Sequence, residues 1–213
     1  MNEQKLTVMR KIIVPADQYD FNGDSRVLIP FVAFEKIGFV DRHGKVVIEP
    51  NYVAYHGEFD TEDSLVIVAL NHLHGYERKN SAPAVYCRPK YGLMNSKGEI
   101  VVEIKYLKMS APKGGSRLYA VQNMDYQYGA IDEHGNEVIP FGKYSLVDTF
   151  YKGRSRVKIY DKEEQKDRWG IIDEDGQVVE PLIHDHIGNF VEKDYVWIEE
   201  YGDRRPRIEG VDL

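Results

Sequence analysis

A hairpin pattern that returns four times along the chain constrains the fold more than any other feature of the sequence. In each copy a glycine is followed three residues later by Asp or Asn, and three residues after that by a second glycine. The copies are IGFVDRHGKV (37–46), YGLMNSKGEI (91–100), YGAIDEHGNE (128–137) and WGIIDEDGQV (169–178). An Asp-x-x-Gly or Asn-x-x-Gly turn between two apolar runs predicts a tight hairpin that joins two antiparallel strands.

The polar residue and the second glycine of each copy have a structural role in such a turn. Asp or Asn at the first turn position accepts hydrogen bonds from backbone N–H groups two or three residues on, and glycine at the fourth position takes positive φ without a Cβ clash. We assign this turn role to Asp41, Gly44, Asn95, Gly98, Asp132, Gly135, Asp173 and Gly176. Because the role accounts for the aspartates, we do not expect them to form the carboxylate pair of a glycosidase.

Two further strands follow each turn, which makes the repeating unit three-stranded. The second strands are KVVIEP (45–50), EIVVEI (99–104), NEVIP (136–140) and QVVEP (177–181). The third strands are SLVIVAL (64–70), SRLYAVQN (116–123), SRVKIYD (155–161) and DYVWIEE (194–200). Proline cannot donate to a sheet ladder, so Pro50, Pro140 and Pro181 are expected to end their strands.

The N-terminal segment contains part of a fifth copy. KIIVP (11–15) matches a second strand, and SRVLI (25–29) matches a third strand and shares Ser-Arg-Val with 155–157. This partial unit covers residues 1–36, and the complete units begin near residues 37, 91, 128 and 169. Their first glycines are spaced by 54, 37 and 41 residues (38 to 92, 92 to 129, 129 to 170).

A period of about 40 residues with three strands per unit is typical of repeat proteins. Units of this size cannot bury an apolar face alone, so neighbouring units must stack. We therefore predict a single all-β domain over residues 1–213 with tandem three-stranded β repeats, about five units in all. The units form either an open hairpin array or a small propeller-like ring, and pairing of 205–213 with KIIVP would close the ring.

The repeat resembles a known family. Trp169-Gly170-Ile171-Ile172-Asp173, followed by Gly176 and VVEP, is similar to the WG-repeat family of bacterial proteins, and the resemblance extends over residues 11–200. Tyr91, Tyr128 and Ile37 replace the tryptophan in the other copies. The resemblance implies an all-β interaction or recognition module without a common catalytic residue. We expect Trp169 to be largely buried between one repeat and the next.

Composition argues against several functional classes. The net charge of -7 gives no general attraction to phosphate backbones, which argues against nucleic-acid binding. The one cysteine, Cys87, cannot form an intrachain disulfide, and no apolar run approaches the roughly 20 residues of a membrane-spanning helix. The first residues lack the apolar core of a signal peptide. We expect a cytoplasmic protein; a secreted or cell-envelope location follows instead if a signal peptide has been removed.

Histidine and cysteine give weak signals for chemistry. His72 and His74, like His184 and His186, stand two apart, and on a strand such a spacing puts both residues on one face. The sequence assigns no third ligand to either pair, so no metal and no cofactor are expected. Cys87 has no catalytic signature around it and is interpreted as a strand residue. No catalytic residue is assigned.

A basic insertion, residues 71–90 (NHLHGYERKNSAPAVYCRPK), breaks the period after a third strand. It contains four cations against one acid, with two tyrosines interleaved. Loops that exceed the minimum of a repeat often lie on its binding face. The candidate binding residues are Tyr76, Arg78, Lys79, Tyr86, Arg88 and Lys90. The alternative is an extended, solvated hairpin without a binding role.

The functional hypothesis is a non-enzymatic module that binds another protein, as a scaffold does. A carbohydrate- or cell-envelope-binding module is the alternative, because exposed tyrosines on a repeat surface stack on sugars. A hydrolase ranks behind both. The identity of the partner does not follow from the sequence.

Overall fold

Short antiparallel strands make up the structure. A computed structural model describes the backbone of residues 7–9, 13–15, 23–76, 84–188, 196–200 and 203–207, and the side chains of 23–71 and 88–188. This part of the chain contains no α-helix. None of its segments is therefore a helix with the length and apolarity that crossing a membrane requires. The predicted all-β fold of tandem repeats is confirmed.

The described residues form twenty strands, numbered here in chain order. They are Thr7–Met9 (β1), Ile13–Pro15 (β2), Ile29–Ala33 (β3), Lys36–Val40 (β4), Val46–Tyr52 (β5), Ala54–His56 (β6), Leu65–Tyr76 (β7), Ala84–Asn95 (β8), Ile100–Tyr106 (β9), Lys108–Ser110 (β10), Tyr119–Gln122 (β11), Tyr128–Ile131 (β12), Glu137–Tyr144 (β13), Leu146–Val147 (β14), Arg154–Asp161 (β15), Lys166–Asp173 (β16), Val178–His184 (β17), His186–Ile187 (β18), Val196–Glu200 (β19) and Asp203–Arg207 (β20).

These strands form five sheets, and the sheets are offset from the sequence repeats. Their strand orders are β2-β1-β3-β4-β5, β6-β7-β8-β9, β10-β11-β12-β13, β14-β15-β16-β17 and β18-β19-β20. In each four-stranded sheet the first two strands belong to one sequence repeat and the last two to the next. Each sequence repeat therefore contributes to two successive sheets, so the sheets are linked covalently.

The chain passes from one sheet to the next within a single residue. The edge strand of one sheet is separated from the first strand of the following sheet by Val53, Leu107, Ser145 or Asp185. At the first three of these positions the backbone N–H donates to a carbonyl of the new sheet. The linking residue is thus already part of the next ladder, and no loop is needed.

The chain divides into two compact units, Met1–Lys105 and Tyr106–Leu213. The core of the first unit joins its two sheets. Phe39 of β4 packs edge-to-face on Phe59, with ring centroids 5.1 Å apart, and Val68 of β7 and Met94 of β8 complete the same cluster. Burial of these side chains is the main stabilising contribution that a two-sheet core can make. The sequence predicts a single domain over residues 1–213, and that expectation stays a prediction.

The core of the second unit follows the same plan. Ala130 and Ile139, from β12 and β13, pack against Val157 and Ile172, from β15 and β16, around the fully buried ring of Phe150. Phe150 lies in the loop that precedes the third strand, as Phe59 does in the first unit. The large apolar residue of this loop is therefore a core residue of its unit.

The first glycine of each repeat lies against the backbone of its partner strand. An added Cβ would come within 2.6 Å of the Ile48 carbonyl oxygen at Gly38, and within 2.4 Å of the Val102 carbonyl oxygen at Gly92. The pairing register shifts beside Gly38. Only a residue without a side chain admits this approach of two backbones, which explains why glycine begins every copy. The equivalent contacts at Gly129 and Gly170 are 2.8 and 2.7 Å.

The expectation that proline ends the second strand is wrong. The strands β5, β13 and β17 continue through Pro50, Pro140 and Pro181. All three strands lie at the edge of their sheets, and each bulges against its one neighbouring strand in the sheet. Proline is tolerated there because a residue at a bulge on an edge strand need not donate to the ladder.

The partial first unit also differs from its prediction. Its third strand is β3, Ile29–Ala33, instead of 25–29. Arg26 is buried beside Asp24, and its guanidinium Nη2 lies 2.6 Å from the Asp24 carboxylate. This ion pair holds the segment before the strand, so the Ser-Arg-Val match with 155–157 is out of register. The segment KIIVP contributes Ile13–Pro15, which pairs with Thr7–Met9. Residues 208–213, part of its expected partner, lie outside the described residues, and ring closure stays a prediction.

Candidate functional site

The repeat turns use their polar side chains to hold the backbone. The Oδ1 atom of Asp41 accepts hydrogen bonds from the backbone N–H groups of His43 and Lys45, at 2.8 and 2.9 Å. The acceptor therefore reaches two and four residues on, one residue further than the sequence suggested. Asn95, Asp132 and Asp173 make the same pair of bonds. The closing glycines Gly44, Gly98, Gly135 and Gly176 have φ between 77° and 85°.

These hydrogen bonds lower the pKa of two of the turn aspartates, Asp41 and Asp132. The Lys45 and His43 N–H groups hold the pKa of Asp41 below its usual value. At Asp132, partial burial raises the pKa, but the bonds from Asn136 and His134 outweigh it, so the pKa is lowered there too. A carboxylate kept ionised by backbone donors is a poor proton donor. The geometry thus gives these residues a turn role.

A fifth turn of this kind was missed by the sequence analysis because it ends in tyrosine. Between β11 and β12 the Asn123 Oδ1 accepts from the N–H groups of Asp125 and Gln127, at 3.0 and 2.9 Å. Tyr126 then takes the place of the glycine, with φ of 62°. The signal that identifies it is the Asn123 side chain placed five residues before the next Tyr-Gly pair. Phe34, at the tip between β3 and β4, is a second non-glycine residue with positive φ.

The basic insertion lengthens one hairpin. Strands β7 and β8 pair without interruption from Leu65 opposite Asn95 to Tyr76 opposite Ala84, twelve residues on each side. The other hairpins formed by a third strand and a leading strand have at most eight pairs in the described residues. We call residues 71–90 the arm. The insertion is therefore a continuation of regular strands.

The pairing register of β7 with β8 puts four of the candidate binding residues at positions on one face of the arm. Tyr86 lies opposite His74, Arg88 opposite His72 and Lys90 opposite Leu70. Because residues alternate between the two faces of a ribbon and cross-strand partners share a face, one face holds the even-numbered residues. They include His72, His74, Tyr76, Tyr86, Arg88 and Lys90. Arg88 is exposed and Lys90 is half-buried. Arg78 and Lys79 lie outside the described residues.

The remaining positions on the arm are mostly apolar. Leu73, Val85, Cys87 and Pro89 alternate with the basic and aromatic residues, and Cys87 pairs with Leu73. The arm is thus an amphipathic ribbon by position, with one basic and aromatic face. We call that even-numbered set the basic face of the arm.

The histidines near the C-terminus belong to packed surroundings. His184 is buried, and its Nε2 lies 2.7 Å from the Glu180 Oε1. His186 packs edge-to-face on Trp169, with ring centroids 5.4 Å apart. Where side chains are described, no group of three or more His, Cys, Asp and Glu residues could hold a metal ion. The side chains of His72 and His74 lie outside the described residues.

Trp169 is partly buried and packs against the buried side chains of Ile171 and Ile187, and the expectation that it lies between one repeat and the next stays a prediction. The Arg156 guanidinium carbon lies 5.1 Å from the ring centroid, and the Lys158 Nζ lies 5.7 Å from it. Both cations come from β15, which pairs with the strand of Trp169. The ring is held by cation–π contacts and His186, and it keeps part of its surface in water.

A known protein family matches the repeats of this chain but not residues 72–90 of the arm. The family model for the WG containing repeat matches residues 37–71, 91–125, 128–162 and 169–202, which is more than half of the chain. The first two matches end and begin on either side of residues 72–90. No curated protein and no solved structure matches the chain. The four matched copies show that the chain belongs to the WG-repeat family.

Proposed function

We propose that this protein is a non-enzymatic interaction module that binds the acidic surface of another protein through the basic face of the arm. The observation that supports this most directly is the register of β7 and β8. It places Tyr76, Tyr86, Arg88 and Lys90 on one face of a ribbon that the repeat itself does not require. The proposed setting is the cytoplasm.

The chemistry of this face suits a protein partner. Tyrosine and arginine are the residues that most often contribute binding energy at interfaces. The arm carries four cations and one acid in a chain of net charge -7. A local positive patch on an acidic protein steers an acidic partner toward that patch and speeds association.

The repeats anchor the base of the arm in their core. The arm grows from β7 and β8 where both strands are in the core, since Val66, Val68, Leu93 and Met94 are all buried. The module therefore separates a stable scaffold from a binding segment.

The test compares the whole chain with two variants. In the first, a Gly-containing two-residue turn replaces residues 72–89; in the second, Arg78→Glu is combined with Arg88→Glu. Partners are captured from a lysate with the wild-type chain, identified by mass spectrometry, purified, and titrated against each variant by surface plasmon resonance at low and high salt.

The expected result is a weaker complex for both variants, with the charge reversal acting on the association rate at low salt. A matched control, Lys97→Glu with Lys105→Glu, reverses two exposed charges outside the arm. Thermal unfolding checks that all variants fold. Unchanged affinity of the shortened chain for the purified partner would show that the arm is not the binding segment.

A further inference from the structure

The outer edge of β7 changes character where the strand enters the arm. β6 pairs with β7 only at Ile67, Val68 and Ala69. Residues 70–76 continue in regular pairing with β8 on their other side. Among the strands that the structure describes, none pairs with the outward side of 70–76. A strand edge without a neighbour is a template on which a strand of another chain can pair.

The hydrogen bonds at the base of the arm show which backbone groups of β7 point outward. The Val53 N–H donates to the Ala69 carbonyl oxygen at 2.9 Å, so the polar backbone groups of Ala69 face β6. In an antiparallel ladder these groups point alternately to one side of the strand and to the other. Because β7 and β8 pair without a register shift, Asn71, Leu73 and Gly75 continue the outward series. Their N–H and C=O groups face away from β8.

Pro89 agrees with this assignment and distinguishes the two edges of the arm. It lies opposite Asn71, and since proline has no N–H, it fits a pair whose polar groups point outward. The outer edge of β8 therefore lacks a donor at Pro89, and it carries Arg88 and Lys90. Proline and charged residues are the means by which proteins protect an edge. Residues 70–76 of β7 include neither proline nor a Lys, Arg, Asp or Glu residue, so β7 offers the open edge.

The two faces of the arm define the side chains that an added strand would need. Successive side chains of such a strand alternate between the faces. Those on the basic face of the arm enter the field of Arg88 and Lys90, which favours acidic residues. Those on the opposite face share it with the positions of Leu73 and Cys87, which favours apolar residues. The segment that fits this edge alternates acidic and apolar residues.

A second copy of this chain fits the edge less well. Antiparallel pairing of two β7 edges through their outward residues sets the histidines of one copy, His72 and His74, opposite those of the other. It also puts both basic faces on the same side of the combined sheet. Like charges on one face oppose this pairing. Charge therefore favours an acidic segment of a different protein.

We propose that residues 71–75 of β7 bind an extended segment of the partner protein as an added strand, with its acidic side chains on the basic face of the arm. This inference rests on the binding role proposed for the arm and names the mode of binding and the chemistry of the partner. Main-chain hydrogen bonds to Asn71, Leu73 and Gly75 supply affinity, and the alternating side chains supply selectivity.

The experiment measures binding of the full chain to three capped, fluorescein-labelled peptides by fluorescence anisotropy. The first probe alternates glutamate and valine (EVEVEVE). The second is the same peptide with N-methylated valines, which keeps the charge and removes the N–H groups that face β7. The third, KVKVKVK, reverses the charge. On the protein, Leu73→Pro removes one outward N–H, and Leu73→Ala is the matched control that keeps it. Thermal unfolding checks that both variants fold.

We expect the wild type and Leu73→Ala to bind EVEVEVE alike. Leu73→Pro should bind it about tenfold more weakly, and the wild type should bind the N-methylated probe more weakly by about the same factor, because main-chain hydrogen bonds are lost. KVKVKVK should not bind. In the free chain the amides of Asn71, Leu73 and Gly75 should exchange with solvent faster than those of His72 and His74, which bond β8. Adding EVEVEVE should slow the first three, as followed by NMR.

Failure of the wild type to bind EVEVEVE overturns the proposal, as does equal binding of the N-methylated probe. Slow exchange of the three outward amides in the free chain would mean that the edge is already covered, which also overturns it. A wild-type dimer that Leu73→Pro dissolves assigns the edge to a second copy instead. The binding role of the arm is tested separately, since it fails only if a purified partner binds the shortened chain with unchanged affinity.

Discussion

Glu180 Oε1 lies 2.7 Å from His184 Nε2, and this buried pair replaces an apolar pair of the other repeats. His184 lies opposite Trp169 as Tyr52 lies opposite Ile37. Glu180 takes the register position at which the first complete repeat has Ile48, and the third has Ile139. The last repeat has therefore exchanged an aliphatic–tyrosine pair for an acid and an imidazole.

The first prediction concerns this exchange. Glu180→Ala removes the carboxylate that faces a buried imidazole, so the free energy of unfolding should fall by about 1–3 kcal/mol. The double change Glu180→Ile with His184→Tyr restores the pair of the other repeats and should be neutral or stabilising, by up to about 4 kcal/mol. Urea unfolding followed by tryptophan fluorescence measures both, because Trp169 and Trp197 lie in the second unit.

Glu180→Ile alone and His184→Tyr alone complete the double-mutant cycle. A coupling energy near zero would mean that the two side chains do not act as a pair. A double variant less stable than Glu180→Ala would show that this repeat cannot accept the apolar pair.

The second prediction separates steric clash from backbone strain at glycine. At Gly170 an added Cβ would lie 2.7 Å from the Glu180 carbonyl oxygen, so Gly170→Ala should lower the free energy of unfolding by about 2–3 kcal/mol. Gly153 has φ of 75° and nothing within 4 Å of the added Cβ, so Gly153→Ala should cost only about 1 kcal/mol. Urea midpoints of the two variants give the comparison, and equal losses would contradict the close backbone contact.

The third prediction concerns pH. Because the pKa of Asp132 is lowered in the folded chain, its ionised form stabilises the fold above its unfolded pKa, near 3.9, and this contribution disappears as pH falls through the lower folded value. Asp132→Asn keeps an acceptor in the turn, as Asn95 does, but removes the charge. The variant should be less stable than the wild type at pH 7, by about 0.5 kcal/mol or less because the site is solvated.

The difference between the two chains should shrink as the pH falls below the unfolded pKa of aspartate toward the lower folded pKa of Asp132, where the wild-type carboxyl is protonated as well. Urea unfolding at pH 3, 5 and 7 gives the comparison. A difference that stays constant over this range would mean that the charge of Asp132 has no part in stabilising the turn.

The fourth prediction follows from the half-buried position of Trp169. Trp169→Ala should cost about 2 kcal/mol, less than the 3–5 kcal/mol of a fully buried aromatic residue. In a Trp197→Phe background, acrylamide should quench Trp169 fluorescence at a rate between those of free indole and a core tryptophan. Complete protection from the quencher would show that the ring is buried after all.

The turns are the part of this fold that the sequence determines most directly. An Asp or Asn acceptor and its donors lie within four residues, and the glycine that closes the turn follows within three. Such contacts depend on local chemistry, so Asp41, Asn95, Asp132 and Asp173 could be assigned without a structure. The period of the copies predicted the all-β repeat fold in the same way, and the excess over that period identified the arm.

Tertiary pairing decided everything that depends on strands distant in the sequence. The sheets combine halves of successive repeats. The bulge opposite Gly38 and the continuation of β5 through Pro50 follow from the cross-strand register of β4 and β5, which the residue pattern alone does not show. The Arg156 guanidinium carbon lies 5.1 Å from the Trp169 ring centroid because the strands of the two residues pair, and this contact does not follow from the residues around Trp169. The turn at Tyr126 was not predicted from the sequence. A position that favours glycine is defined by its backbone angle φ, whereas the sequence shows only which side chain is present.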